Sequence, residues 1–122
     1  MKTTRRPVHN LFADLPTLTS GEFLEELAAC RGVRIERILS SDQPEPVLYD
    51  QEQDEWVCLL QGEARLWIAG DEVELRAGDH CLIPAHTPHR VLRTSREPPC
   101  LWLAVHIHSP SASSACDRPP DG

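Results

Sequence analysis

The sequence predicts an all-β domain of short antiparallel strands that close on themselves, and two observations support this fold class. Between residues 49 and 108, short apolar stretches rich in valine, isoleucine, leucine and tryptophan follow one another closely. Turn-forming residues separate these stretches, as at Gly62, Gly70-Asp71 and Ala77-Gly78-Asp79. Many short strands joined by tight turns are typical of β-barrels and β-sandwiches.

Seven strands follow from the pattern of apolar and polar side chains. Residues 33–39 alternate apolar and charged side chains, which indicates a strand with one buried face. Gly70-Asp71 is predicted as the turn of a tight hairpin, and Pro84 ends a short strand. The predicted strands are residues 33–39, 55–61, 64–69, 72–76, 80–83, 90–93 and 101–108.

The chain divides into three parts of unequal character. Residues 1–48 are predicted as an approach segment that contains a short helix and a strand. Residues 49–108 are predicted as the barrel core. Residues 109–122 are rich in serine and proline and have little to bury, so we expect a disordered tail.

A short N-terminal helical segment is predicted within the approach segment. Phe23, Leu24 and Leu27 recur at helical spacing and would form one apolar stripe. Ser20 is a suitable N-cap, and Gly32 is a suitable end just beyond the stripe. We expect one or two helical turns here.

Composition limits the classes of function. The 122 residues suit one domain, and 12 basic against 19 acidic side chains give a formal net charge of −7. That charge argues against a nucleic-acid partner. No apolar run is long enough to cross a membrane, and the N-terminus does not resemble a signal peptide. The five cysteines, an odd number without a C-x-x-C pair, indicate reduced thiols and a cytoplasmic location.

One stretch of the barrel core resembles a motif of a known family. Residues 78–89 are similar to the second cupin motif, in which a glycine, a proline and a histidine fall on Gly78, Pro84 and His89. The inner glycine of that motif is replaced by His86, and the asparagine that usually follows is Arg93.

The first cupin motif is matched only in its second half. Glu55 and Gly62 have the six-residue gap of that motif, and 15 residues separate Gly62 from the glycine of the second motif. The two histidines that precede the glutamate are missing. Depending on the spacer, their places fall on Leu48 and Asp50 or on Tyr49 and Gln51.

The resemblance covers roughly residues 48–108, and the chain looks like a small single-domain cupin with a type-2 conserved barrel. It implies a double-stranded β-helix, the cupin jelly-roll barrel, with a ligand pocket between two antiparallel sheets. In the standard cupin site, three histidines and one glutamate bind a divalent transition metal, commonly iron, zinc, manganese or nickel. Transferred residue by residue, that site keeps Glu55 and His89 as metal ligands. Two ligands are too few for a tight site.

Two further residues are candidates to complete the metal site. Asp50 occupies a lost histidine position if the spacer has four residues; Gln51, at the other candidate position, would be a poor ligand. His106 on the last strand is the other candidate. Alternation argues against His106 as a ligand. The more uniformly apolar set on this strand should face the interior, and it consists of Leu101, Leu103, Val105 and Ile107. His106 and Trp102 should then point away from the pocket. The predicted metal ligands are Glu55, His89, Asp50 and His106.

Structural roles for the same residues remain open. Glu55 is also suited to pair with Arg65 or Arg90 at the barrel mouth, and His89 to hold a turn by hydrogen bonding. His86, in place of a turn glycine, is interpreted first as a turn residue, because histidine tolerates a left-handed backbone comparatively well.

The tryptophans suggest a second apolar surface. Trp56 neighbours Glu55 on its strand and should point away from the pocket. Together with Trp67 and Trp102 it would cover a face buried by a second copy of the chain, so we expect a homodimer.

Several functions are compatible with these residues. The first is a metal-dependent enzyme that acts on a small-molecule ligand of unknown identity. The second is a metal-free domain that binds or senses a small molecule. The third is metal-free acid–base catalysis, in which His89 would transfer a proton and Glu55 would orient it.

Overall fold

The computed structural model describes residues 8–109, and within this range it contains eight β-strands and no helix. The strands are β1 (Glu22–Cys30), β2 (Val33–Ser40), β3 (Asp54–Gln61), β4 (Glu63–Ile68), β5 (Asp71–Arg76), β6 (His80–Ile83), β7 (His89–Thr94) and β8 (Cys100–Ile107). The seven predicted strands are all present, and their ends differ from the prediction by no more than one residue. The predicted all-β fold is therefore confirmed.

The strands form two antiparallel sheets that pack face to face. One sheet has five strands in the order β1-β2-β8-β3-β6, and the other has three in the order β5-β4-β7. Core side chains come from both sheets: Val57 and Leu59 from β3 meet Leu66 from β4 and Leu75 from β5. The barrel architecture expected from the cupin resemblance is confirmed.

The predicted N-terminal helix is wrong. Its residues form β1, which pairs antiparallel with β2 through a two-residue turn at Arg31 and Gly32. Both turn residues have positive φ, 52° and 81°, as a tight hairpin requires. Gly32, predicted as the end of a helix, is the second residue of that turn.

An irregularity in β1 explains why its sequence resembled a helix. The pairing with β2 shifts between Glu26 and Ala28, so Leu27 is an extra residue in a β-bulge. The bulge interrupts strict alternation, and the apolar residues no longer recur with the period of a strand. Pairing with β2 then outweighs the weak local preference for a helix.

The strands contributed by the approach segment belong to the main sheet. β2 pairs with β8 along its whole length, from Val33 opposite Ile107 to Ser40 opposite Cys100. The five-stranded sheet thus contains strands from both sides of residue 48. Residues 110–122, which make up nearly all of the predicted disordered tail, lie outside the described residues.

Arg37 connects the segment before β1 to the main sheet. Its buried guanidinium donates hydrogen bonds to the carbonyl oxygens of Leu11 and Ala13, at 3.1 and 2.7 Å, and to the carboxylate of Glu25. These three acceptors satisfy a charged group that would be costly to bury without partners.

No helix in the described part of the chain has the length and apolar character needed to cross a membrane.

The predicted Gly70 hairpin lies one residue earlier in the chain than expected. The turn residues are Ala69 and Gly70, both with positive φ (47° and 97°), and β5 begins at Asp71.

Gly62, between β3 and β4, has nearly the same φ as Gly70, 96°. The two glycines differ in their surroundings. A Cβ on Gly62 would lie 3.0 Å from the Cα of Cys100, whereas a Cβ on Gly70 would meet nothing within 4 Å.

We expect Gly62→Ala to lower the free energy of unfolding more than Gly70→Ala does. Both substitutions strain a left-handed backbone, but only the first also forces a clash with β8, which costs on the order of 1–3 kcal/mol. Urea denaturation of the two variants measures the difference directly. Equal losses of stability would contradict the close approach of Gly62 to Cys100.

Candidate functional site

A cavity of about 110 Å³ lies between the two sheets, with apolar walls and a group of ionisable side chains. Its apolar walls include Leu66, Ile83 and Trp102. Its polar side chains come from both sheets and from the loop before β3. They are Glu22, Glu36, Tyr49, Gln51, Glu55, His89 and His106.

Glu55 and His89, the two residues singled out by the cupin motifs, converge in this cavity. Glu55 lies near the start of β3 in the larger sheet, and His89 begins β7 in the smaller one. Each is 8% exposed, and His89 Nε2 lies 3.8 Å from Glu55 Oε1. The structure therefore places a buried imidazole opposite a buried carboxylate.

The backbone brings His89 to this position. Tyr49 and His89 form an isolated antiparallel bridge, with N–H···O distances of 2.8 Å from Tyr49 and 3.0 Å from His89. The Tyr49 ring stacks on the imidazole, with 5.5 Å between ring centroids. These contacts attach the loop before β3 to the first residue of β7.

A hydrogen bond determines the tautomer of His89. Its Nδ1 lies 2.8 Å from the carbonyl oxygen of Thr87, which can only accept, so Nδ1 carries the proton. In the neutral ring, Nε2 then presents a lone pair to the cavity. The 3.8 Å between Nε2 and Glu55 is too long for a direct hydrogen bond, which leaves a gap between two acceptors.

The structure decides between the two spacers left open by the first motif. Tyr49 and Gln51 line the cavity, and Gln51 Nε2 donates to Glu55 Oε1 at 3.1 Å. Asp50 lies outside it with a side chain that is 58% exposed, and its Oδ1 is 3.4 Å from His86 Nδ1. The positions of the two family histidines are therefore taken by tyrosine and glutamine. His86 has a φ of 59°, which confirms its interpretation as a turn residue.

Alternation along the last strand predicts that His106 faces away from the cavity, and this prediction is wrong. His106 is 5% exposed and lines the cavity. Both of its ring nitrogens have partners: Nε2 lies 2.9 Å from Glu36 Oε1, and Nδ1 lies 3.1 Å from Gln53 Nε2. Alternation is misleading here because the outer face of β8 is also buried at one end, where Leu101 packs opposite Leu39. A strand buried on both faces gives no reliable apolar alternation.

Trp102 is likewise an interior residue and does not lie on the outer face that we expected. It is 4% exposed and donates its indole N–H to Ser40 Oγ at 3.0 Å. Ser40 Oγ in turn donates to Glu22 Oε2 at 3.0 Å. Trp56 does not line the cavity and packs beside His80. The predicted homodimer stays a prediction that no longer involves Trp102.

The arginines considered as partners of Glu55 are engaged elsewhere. Arg65 pairs with Glu72 and Glu74 on β5. The guanidinium of Arg90 lies over the Trp67 ring, 5.8 Å from its centroid. The direct hydrogen bond of the Glu55 side chain comes from Gln51 instead.

Two carboxylates in the cavity were missed by reasoning from sequence. Glu22 and Glu36 belong to β1 and β2, in the segment interpreted as an approach to the barrel. Glu36 Oε1 accepts a hydrogen bond from His106 Nε2, and Arg34 Nε lies 3.3 Å from Glu36 Oε2. Glu36 lies in the alternating stretch 33–39, where the pattern predicts that the charged side chains face solvent.

The cavity has an acidic character. Burial raises the pKa of Glu22, and repulsion from Glu45 and Glu55 raises it further, while the Ser40 hydrogen bond lowers it. Burial also raises the pKa of Tyr49, to which the charges of Glu22, Glu45 and Glu55 add. Within residues 8–109, no lysine or arginine lines the cavity. Carboxylates from β1, β2 and β3 therefore line the same cavity as His89, with no basic side chain of lysine or arginine among the described lining residues.

The donor set does not fit a cupin metal centre of three histidines and one carboxylate. In the described range, no three histidine, cysteine, aspartate or glutamate side chains are grouped as metal ligands. Glu55 and His89 converge, but Asp50 is at the surface and His106 uses both ring nitrogens in other contacts. Metal ligation by Glu55, His89, Asp50 and His106 stays a prediction.

Known proteins resemble this chain in sequence and fold. Residues 39–106 match the model of the cupin domain family. A candidate mannose-6-phosphate isomerase of Ralstonia eutropha JMP134 is 42% identical, with a TM-score of 0.77; the alignment covers 84% of this chain and 100% of that one.

Two more distant structures share the fold alone. A cupin superfamily protein of Desulfitobacterium hafniense DCB-2 is 19% identical, with a TM-score of 0.70, and the alignment covers 88% of this chain and 94% of that one. KdgF from Halomonas sp. is 18% identical, with a TM-score of 0.66 and coverage of 87% and 96%. No curated protein matches the chain.

We expect Glu22→Gln to raise the melting temperature near neutral pH. The native state holds the Glu22 proton more tightly than the unfolded chain does, so the ionised carboxylate lowers stability as pH rises above the ordinary value of 4.5. Glutamine keeps an acceptor for Ser40 without the charge. Below that pH both forms are neutral, and the advantage should disappear.

Thermal unfolding across pH measures this effect, with Glu26→Gln on the exposed part of β1 as the matched control. An equal change in both variants, or a Glu22→Gln advantage that persists in acid, would contradict the burial of this carboxylate.

Proposed function

The chain belongs to the cupin domain family, and from this premise we propose that it is a small-molecule-binding domain whose ligand bridges Glu55 and His89 without a metal cofactor. The observation that carries the proposal is the gap between the two side chains. Both are buried, they face each other at 3.8 Å, and Nε2 of His89 has no hydrogen-bond partner within residues 8–109. Nε2 faces the cavity and receives no hydrogen bond from the described residues, so its lone pair is available to a ligand atom.

The composition of the cavity supports the same proposal. Ligand pockets combine apolar walls with a small number of oriented polar groups, and this cavity has both. Its volume of about 110 Å³ is well below the roughly 300–1,000 Å³ of pockets for drug-sized ligands. The ligand, or the part of it that enters the barrel, is therefore small.

The contacts that orient the His89 and Glu55 side chains support a binding role over a purely structural one. Thr87 fixes the imidazole tautomer, Tyr49 stacks on the ring, and Gln51 holds the carboxylate. A site whose groups are oriented before the ligand arrives loses little entropy on binding. The free lone pair on Nε2 is also the atom that would accept a proton, so the acid–base role of His89 stays a prediction for this same site.

The metal question has a direct test. Iron, zinc, manganese or nickel would have to be held by Glu55 and His89 without the remaining family histidines, and two protein ligands make a weak site. We expect elemental analysis of the purified protein, before and after supplementation with each metal, to give well under one equivalent per chain. One equivalent that is lost in both Glu55→Gln and His89→Gln would overturn the metal-free proposal.

Small-molecule binding is tested with a fragment set of neutral, cationic and anionic compounds, monitored by saturation-transfer NMR. We expect fragments that bind the protein and lose at least tenfold in affinity in Glu55→Gln and His89→Gln, because a buried polar contact to a charged group is lost. Glu52→Gln and His80→Gln are matched controls, since both residues are exposed and lie outside the cavity.

Circular dichroism of each variant confirms that the barrel is folded before binding is compared. Fragments that bind all four variants as well as the parent protein, or the complete absence of binding, would contradict the proposal.

A further inference from the structure

This inference rests on the proposed function and specifies the chemical class of the ligand. We propose that the cavity selects a small organic cation with N–H donors, in particular a primary ammonium group attached to a short apolar chain. The hydrogen-bonding character of the cavity, its charge, its aromatic side chains and its size all favour such a ligand.

When His89 is neutral, the gap between His89 Nε2 and the Glu55 carboxylate lacks a hydrogen-bond donor. Thr87 takes the Nδ1 proton of His89, so in the neutral ring Nε2 is an acceptor. The opposing carboxylate of Glu55 can only accept when ionised. Two acceptors 3.8 Å apart repel each other unless a donor lies against both. An ammonium group has three N–H donors and no acceptor, which matches this arrangement.

His89 gives independent support for a ligand at this position. It is 8% exposed, it lines the cavity, and its Nε2 has no partner among the hydrogen bonds of the described chain. The site therefore consists of more than a group of acidic side chains. A nitrogen of a buried side chain lines the cavity and receives no hydrogen bond within residues 8–109.

The charge of the cavity favours a cation over a neutral ligand. Of its three carboxylates, Glu36 pairs with the positively charged guanidinium of Arg34. Glu22 receives a hydrogen bond from Ser40, and Glu55 one from Gln51, but neither partner carries a charge. Two uncompensated carboxylates in a partly apolar cavity attract a positive charge strongly, because screening by water is weak there.

The same charge disfavours anions. Phosphate-binding sites use arginine, lysine or backbone N–H groups, and in residues 8–109 the cavity lining contains neither basic residue type. A sugar phosphate would also meet the Glu22 and Glu55 carboxylates. The activity named for the Ralstonia eutropha relative is therefore not the one that this cavity suits.

Aromatic and apolar surfaces complete the match. Tyr49 and Trp102 both line the cavity, and the faces of such rings attract cations. The apolar walls suit a short hydrocarbon chain. A volume of about 110 Å³ corresponds to about four water molecules, so n-propylammonium is a suitable probe.

The test compares three probes of similar size and different charge: n-propylamine, 1-propanol and propionate. Each is titrated into ¹⁵N-labelled protein at about pH 8, where an imidazole is ordinarily neutral and an alkylamine is protonated. The readout is the indole N–H resonance of Trp102, which lines the cavity and donates to Ser40. We expect n-propylamine to bind at least tenfold more tightly than 1-propanol, and propionate not to bind.

Variants distinguish amine binding inside the cavity from attraction of the amine by general surface charge. Glu22→Gln and Glu55→Gln should each weaken n-propylamine binding by roughly ten- to a hundredfold, as expected for loss of a charge-assisted contact. Glu52→Gln removes the same charge from an exposed position and should leave binding unchanged. Glu22→Gln is informative because it should be folded and at least as stable as the parent while binding the amine less well.

The outcomes distinguish this inference from the proposed function. If 1-propanol binds as tightly as n-propylamine, or propionate binds more tightly, the cation preference is overturned and the binding domain stands. If Glu52→Gln weakens binding as much as Glu22→Gln, the effect is surface electrostatics and the inference fails. If no probe and no fragment binds, both proposals fail.

Discussion

The site depends on one pair of backbone hydrogen bonds, those of the Tyr49–His89 bridge. β3 and β7 belong to different sheets, and the bridge attaches the loop that precedes β3 to the first residue of β7. It therefore fixes how far the imidazole lies from Glu55, and it places Tyr49 and Gln51 against the same cavity. The placement of these polar side chains therefore depends on the Tyr49–His89 bridge, which joins the loop before β3 to β7.

Much of the fold was predictable, because strands separated by glycine and proline leave a local pattern that survives in the structure. The helix prediction failed at β1, where the bulge at Leu27 interrupts alternation and pairing with β2 sets the conformation. His106 was misplaced for a different reason. The orientation of β8 cannot be inferred from apolar alternation when Leu101 on its other face is also buried.

The candidate site was only half predictable. Motif spacing identified Glu55 and His89, which are distant in the chain, since the cupin resemblance supplied the geometry. Glu22 and Glu36 carry no comparable signal. Charged residues on an alternating strand ordinarily face solvent, and these two face the cavity because β1 and β2 are strands of the five-stranded sheet that forms one of its walls. Charge in the cavity is thus a property of the tertiary structure.

The bulge in β1 has a consequence for how copies of this protein behave in concentrated solution. β1 is an edge of the five-stranded sheet, and a long regular edge offers a row of free backbone groups to any other strand. The extra residue at Leu27 breaks that row near its middle, and Glu25 and Glu26 add charge beside it. A neighbouring strand cannot pair along the whole edge, which protects the barrel against β-sheet aggregation.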